Sequence, residues 1–402
     1  MSWHKLYTDR VNNMSPSIIQ EMRDLVSYPG TVSFTAGEPS QELFPIEGLK
    51  AAFEKVLNGY PELLSYASPA GDPVLRSWIS SWLKQRDYVE KDPGPDRILL
   101  TNGSQAALGI LALMFFQKGT AIVVEKPSYT EAMLTFRKEE CTLLSVDMDN
   151  EGPLPDDFEK LAREQKPSFF YTIPTFQNPS GITTSEERKK EILEIAERYG
   201  IRIIEDDPYR ELWYDSCPPA TYISLSSGSS NIIYLGSFSK IIAPGLRCGF
   251  ALLPEEIMGK AVDLRVLMEI GLSSLTQRAL FEFLVSVDLD SYLGSIRDVY
   301  RNRRDKMIYA MKNYFEPESL LFEVPMGGFF IWGRLPGIDC TDFARFAALE
   351  EKVGAIPGSG FFDDPGDGRE FLRFSFAQVD GDTSWEGVLR MSRALEKYKT
   401  IK

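Results

Sequence analysis

Histidine is nearly absent from this chain: among 402 residues there is one, His4, in the N-terminal arm. That leaves no place for a Ser-His-Asp triad, a His-ligated zinc site or a histidine general base. An enzyme built from this sequence must move protons with lysine, carboxylate or tyrosine. Cysteine is scarce as well. Cys141, Cys217, Cys248 and Cys340 form no CxxC pair, and four in a chain of this length make no disulfide scaffold. They read as reduced thiols of a cytoplasmic protein, and no metal is expected. No apolar run is long enough to cross a bilayer: "ALGILALMFF" is about half of the ~20 residues required. The start, "MSWHKLYTDR", has no apolar core and is not a signal peptide. Positive charge is in deficit, with 44 Lys and Arg against 58 Asp and Glu and a net charge of −14. That balance opposes binding to nucleic acid or to an acidic membrane surface. Internal repeats and low-complexity linkers are missing too.

What is present is a large apolar fraction, 43%, enough for a sizeable core in one large and one small domain. From "RILLT" onward, apolar strands alternate with helices. "AIVVE", "TLLSVDMD", "SFFYTIP", "IRIIEDD", "NIIYLGS" and "GFALLP" read as strands. Continuous apolar strands of this kind predict an α/β fold with a mostly parallel, seven-stranded type of sheet covered by helices on both faces. Asp72 and Pro73 suit a helix start. Thr184 and Glu187 have capping-box spacing, with Gly200 as the stop. The last eighty residues mix strands ("GGFFIWGRL", "EFLRFSFA") with helices, as in a smaller α+β domain. The expected divisions are 1–45 as an arm and part of the small domain, 46–290 as the large domain and 291–402 as the small one.

Open α/β sheets bind ligands beyond the carboxyl ends of their strands, so the residues that follow each strand matter most. After "RILLT" come Gly103, Ser104 and Gln105 at a helix start, where backbone N–H groups favour a phosphate; an ordinary capped turn would look the same. After "IRIIE" come Asp206 and Tyr209, either a polar loop or a carboxylate held near a cation. Asn178 lies in "QNPSG", whose residues are all turn formers. After "NIIYLGSFS" comes Lys240, flanked by small and apolar residues. A desolvated lysine has a lowered pKa and forms Schiff bases. Arg247, seven residues on, adds a cation able to grip phosphate. An imine-forming lysine, a phosphate cradle, an arginine and a carboxylate together meet the requirements of a pyridoxal phosphate site.

The stretch "SFSKIIAPGLRCGF" resembles the lysine signature of fold type I pyridoxal phosphate enzymes in the class I/II aminotransferase group. "YASPAG", "QNPSG", "EDDPYREL" and "FLRFSFA" occur in the expected order, and the resemblance spans about residue 15 to residue 400. It looks most like the kynurenine/2-aminoadipate aminotransferase branch, whose catalytic domain also occurs in MocR-type regulators. The resemblance implies pyridoxal 5'-phosphate as cofactor, bound to Lys240 as an imine, and ping-pong transamination between an L-amino acid and a 2-oxo acid, with 2-oxoglutarate as acceptor. It implies Asp206 on the pyridine nitrogen, and Tyr209 and Asn178 on the phenolic oxygen. Tyr129 would stack on the ring. Gly103, Ser104, Gln105, Ser237, Ser239 and Arg247 would hold the phosphate, joined by Tyr66 from the neighbouring subunit of a homodimer. Arg373 would clamp the substrate α-carboxylate with help from Asn178, and Gly37 would lie in the segment closing over substrate. One position departs from the branch. Gln20 stands where enzymes preferring acidic side chains often carry arginine, with Arg23 almost one turn later.

Two other readings use the same residues. A C–S β-lyase would need the same cofactor, and release of ammonia and pyruvate without an oxo acid would mark it. A pyridoxal phosphate-sensing regulator would need an N-terminal winged helix, but only about forty residues precede the aminotransferase pattern.

Overall fold

The computed structural model describes residues 2–12, 14, 16–226 and 230–401. Its centre is an eight-stranded sheet. The spatial order is Ile98–Thr101, Gly249–Leu252, Ile232–Ser237, Arg202–Asp206, Phe169–Thr172, Ala121–Lys126, Thr142–Asp149 and Gly152–Pro153. Gly249–Leu252 runs antiparallel to both neighbours, and the two-residue strand Gly152–Pro153 runs antiparallel to Thr142–Asp149. Every other pairing is parallel. Seven strands therefore form the expected α/β sheet, and Gly152–Pro153 adds a short edge. Ile98–Thr101, Phe169–Thr172 and Gly249–Leu252 are buried along their whole length. That is why they read as unbroken apolar runs rather than as an alternation.

Helix ends follow their local chemistry. Asp72 caps Pro73–Gln85, its Oδ1 accepting from the backbone N–H groups of Val74 and Leu75. Gly200 ends Glu186–Tyr199 in the left-handed region at φ 72°. The start of that helix differs from expectation. Ser185, not Thr184, is the cap, and its Oγ accepts from the Arg188 N–H at 3.2 Å. Thr184 is committed elsewhere: its N–H bonds the Pro174 carbonyl, and its side chain packs where a Cβ on Gly152 would lie.

A second, four-stranded antiparallel sheet has the order Leu321–Phe322, Phe330–Arg334, Phe371–Ser375, Ile356–Pro357. The helices Cys340–Glu350 and Gly381–Ile401 accompany it. The N-terminal segment joins this unit. Val32–Ser33 pairs in parallel with Val353–Gly354. The carbonyl of Phe34 accepts from the Ser375 N–H at 2.8 Å. No helix among the described residues is long and apolar enough to cross a membrane.

Candidate active site

The parallel strands end at a common edge, and one cavity of about 290 Å³ opens there. Its walls come from separate stretches of chain. Gly103, Ser104 and Gln105 follow Ile98–Thr101, and Tyr129 follows Ala121–Lys126. Asn178 lies beyond Phe169–Thr172, and Asp206 is the last residue of Arg202–Asp206, with Tyr209 just after it. Ser237, Ser239, Lys240 and Arg247 follow or end Ile232–Ser237. Gln20 and Gly37 come from the N-terminal segment, and Arg373 from the small sheet. Of the site residues singled out in the sequence, Tyr66 alone lies outside this cavity; it is 88% exposed on its own chain.

Lys240 donates from Nζ to the carbonyl of Gly37 at 2.8 Å. Burial pushes its pKa down to about 8, opposed by the carboxylates of Glu38 and Asp206 and reinforced by Arg373 and Arg247. Asp206 is 2% exposed. Its Oδ2 accepts from the Tyr171 hydroxyl at 2.9 Å, while its Oδ1 makes no close hydrogen bond, with only the weaker pull of the Ser104 hydroxyl nearby. Burial pushes this carboxyl up to about 7, against the pull of the Tyr171 hydroxyl. A buried carboxylate with an orphaned oxygen is costly unless a cation or donor completes it.

Arg373 is 1% exposed. Its Nη1 donates to Asn178 Oδ1 at 3.0 Å and its Nη2 to the Thr35 carbonyl at 2.7 Å. The guanidinium lies 4.3 Å from the ring centroid of Phe330, and its Nε is unpartnered. Burial lowers its pKa to about 10. Tyr209 and Tyr129 are pushed above the ordinary phenol range, chiefly by burial.

The opposite end of the cavity is built for close approach. Gly103 precedes the helix Ser104–Phe115 at φ 81°, and a Cβ there would sit 3.1 Å from Arg247 Nη2. A Cβ on Gly249 would lie 2.8 Å from the Gly103 Cα. Arg247 Nη2 donates to the Asn102 carbonyl at 2.7 Å, placing the guanidinium beside the helix start. Free backbone N–H groups and a guanidinium at one point make an anion cradle.

Sequence reading missed several wall residues. Glu38 follows Gly37 directly, and Glu131 stands two residues after Tyr129. Glu131 Oε1 accepts from the Ser17 hydroxyl at 2.6 Å. Tyr171, in the strand Phe169–Thr172, stands behind the wall and acts on it through Asp206. Nothing in their local sequence distinguishes these from surface carboxylates or core tyrosine.

The orphaned Asp206 oxygen, the desolvated Lys240 amine and the anion cradle fit one kind of group: a phosphorylated aldehyde with a basic ring nitrogen. On fold and site together the protein is a pyridoxal phosphate enzyme of the aminotransferase type. A family model described as aminotransferase class I and II matches residues 29–388, and the chain belongs to that family. It is 34% identical to 2-aminoadipate transaminase of Thermus thermophilus over 400 residues, covering 98% of each chain. It is 31% identical to aromatic-amino-acid aminotransferase 1 of Thermococcus litoralis, covering 99% of this chain and 95% of that one. Among solved structures it is similar to alpha-aminoadipate aminotransferase from Thermus thermophilus complexed with N-(5'-phosphopyridoxyl)-L-leucine. The TM-score is 0.91, the identity 32%, and both chains are covered in full.

Proposed function

We propose that the protein transfers the amino group of an L-amino acid to a 2-oxo acid, with 2-oxoglutarate as acceptor, by a ping-pong mechanism. The observation that carries this reading is the convergence of the Lys240 amine and the orphaned Asp206 oxygen in one cavity. When bound, pyridoxal phosphate supplies an aldehyde for imine formation and a ring that takes up electrons from the substrate Cα. The residues of the chain do the rest. Gly103, Ser104, Gln105, Ser237, Ser239 and Arg247 hold the phosphate. Asp206 keeps the ring nitrogen protonated, which uses its free oxygen and offsets the cost of its burial. Tyr209 and Asn178 would hold the phenolic oxygen, and Tyr129 would pack against the ring. Lys240, with its lowered pKa, would carry the proton from the substrate Cα to the carbon of the cofactor's former aldehyde. Arg373 grips the α-carboxylate in a forked geometry, already aimed by Asn178 and the Thr35 carbonyl.

Residues 46–290 form the cofactor domain in this reading, and residues 1–45 and 291–402 supply the substrate side. The exposure of Tyr66 supports a role across a homodimer interface, at the partner's phosphate. The protein works in the cytoplasm. The relatives' names favour transamination over β-elimination.

The test is the first half-reaction. Purified holoprotein is mixed with a panel of L-amino acids, with no oxo acid present. The visible band of the bound cofactor is expected to convert to the pyridoxamine phosphate spectrum. Lys240→Ala should show neither the band nor the conversion. Release of ammonia and pyruvate without such conversion would instead make the protein a lyase.

A further inference from the structure

The proposed function commits Lys240, Arg247, Arg373 and Asp206 to the cofactor and the α-carboxylate. Three charged residues of the cavity wall remain: Arg23, Glu38 and Glu131. Among the described residues Arg23 is the one cation left on this wall for a substrate side chain, and it is already paired. Its Nη2 lies 3.2 Å from Glu38 Oε1. Glu131 adds a second carboxylate and is held by the Ser17 hydroxyl at the start of the helix that carries Arg23. Gln20 is neutral and cannot offset this charge, and one of its two amide N–H groups is already donated to Asp24 Oδ1 at 2.7 Å.

The uncommitted part of the wall therefore carries more negative than positive charge. A substrate with a distal carboxylate must compete with Glu38 for Arg23, and it then faces Glu38 together with Glu131, whose Oε1 is bonded to the Ser17 hydroxyl. A neutral side chain leaves the ion pair intact and meets Ile19 on the same wall. Like charges in a partly closed cavity repel, and an ion pair that is already made must be broken before its cation can serve another anion.

We infer that Glu38 determines specificity, acting as an internal carboxylate that competes for Arg23 and biases the enzyme toward amino acids with neutral side chains. The inference rests on the transaminase reading above. It also implies that 2-oxoglutarate, as acceptor, binds only at the expense of the Arg23–Glu38 pair.

The experiment compares half-reactions of the holoenzyme with L-leucine and with L-2-aminoadipate, followed through the visible cofactor band. The wild type should favour leucine. Glu38→Gln should lower the leucine-to-aminoadipate ratio of kcat/KM roughly fivefold, the ratio that ~1 kcal/mol represents for a half-exposed pair. Glu38→Asp should restore most of the preference, and Arg23→Gln should raise the ratio above wild type. Melting curves and the intact cofactor band show that each variant is folded. A ratio within twofold of wild type in both Glu38→Gln and Arg23→Gln overturns the inference, as does a wild type that favours aminoadipate. If neither amino acid converts the cofactor, the transaminase reading itself fails.

Discussion

Asn178 and Arg373, 195 residues apart in sequence, meet at 3.0 Å inside the cavity, where the Asn178 side-chain oxygen accepts from the guanidinium. Asn178 also interacts with the Tyr209 hydroxyl, which ties Arg373, the proposed substrate arginine, to the proposed cofactor side of the site. The arginine is thus aimed before any substrate arrives. Arg373→Ala should raise KM for the donor amino acid about 100-fold, with a smaller loss in kcat, because a buried charged partner typically contributes ~2–5 kcal/mol. Steady-state kinetics on one donor decides it; an unchanged KM removes Arg373 from the substrate site.

Lys240 gives a pH signature before any turnover. Only the neutral amine attacks an aldehyde, and burial brings Lys240 down to about 8. Uptake of pyridoxal phosphate by the apoprotein should therefore quicken about tenfold per pH unit below 8 and level off above it. The visible band, recorded after mixing at pH 6 to 10, reports this rate. A rate still climbing steeply between pH 9 and 10 would show an ordinary lysine.

Gly103 tests the anion cradle. Its φ of 81° is unfavourable for any other residue, and an added Cβ would meet Arg247 Nη2 at 3.1 Å. Gly103→Ala should weaken cofactor binding about tenfold, in line with the ~1–3 kcal/mol that a backbone at φ 81°, ψ 169° costs any residue but glycine. Titration of the apoprotein with pyridoxal phosphate measures it. Equal affinity in the variant would place the phosphate elsewhere.

Asp206 should leave a mark on apoprotein stability. Its folded pKa is raised to about 7 from an ordinary 3.8. Between those values the folded state holds a proton that the unfolded state has released. Stability from this group is therefore full below about pH 4, falls as pH rises, and is lost above about 7. Melting temperatures of the wild type, measured against Asp206→Asn from pH 5 to 8, should show this decline in the wild type alone. Bound cofactor should flatten it by supplying the positive ring nitrogen. Parallel curves for the two apoproteins would contradict the raised pKa.

Much of this was legible in the sequence, for identifiable reasons. Strands buried on both faces must be continuously apolar, so "RILLT" and "GFALLP" announce themselves. Lys240 was conspicuous because its neighbours are small or apolar, and Gly103 because it separates a strand from a helix. Glu38 and Glu131 were not legible. Each looks like any exposed carboxylate until the N-terminal segment and the helix Thr130–Lys138 face the same cavity, which no local pattern encodes. The Thr184 cap failed for a similar reason: a long-range contact with Gly152 claims that side chain and passes the capping role to Ser185. Local spacing decides between neighbouring caps only when tertiary packing leaves both free.

The short ladder of Val32–Ser33 with Val353–Gly354, extended by the Phe34 carbonyl to Ser375, binds the beginning of the chain to its end. Gly37 and Glu38 are thereby stitched to the same unit that carries Arg373. The cavity is walled from two sides: the eight-stranded sheet supplies Asp206 and the loop that bears Lys240, and the four-stranded sheet with the N-terminal segment supplies Arg373, Gly37 and Glu38. Without that ladder the two ends of the chain would have no shared frame on which to meet the cavity.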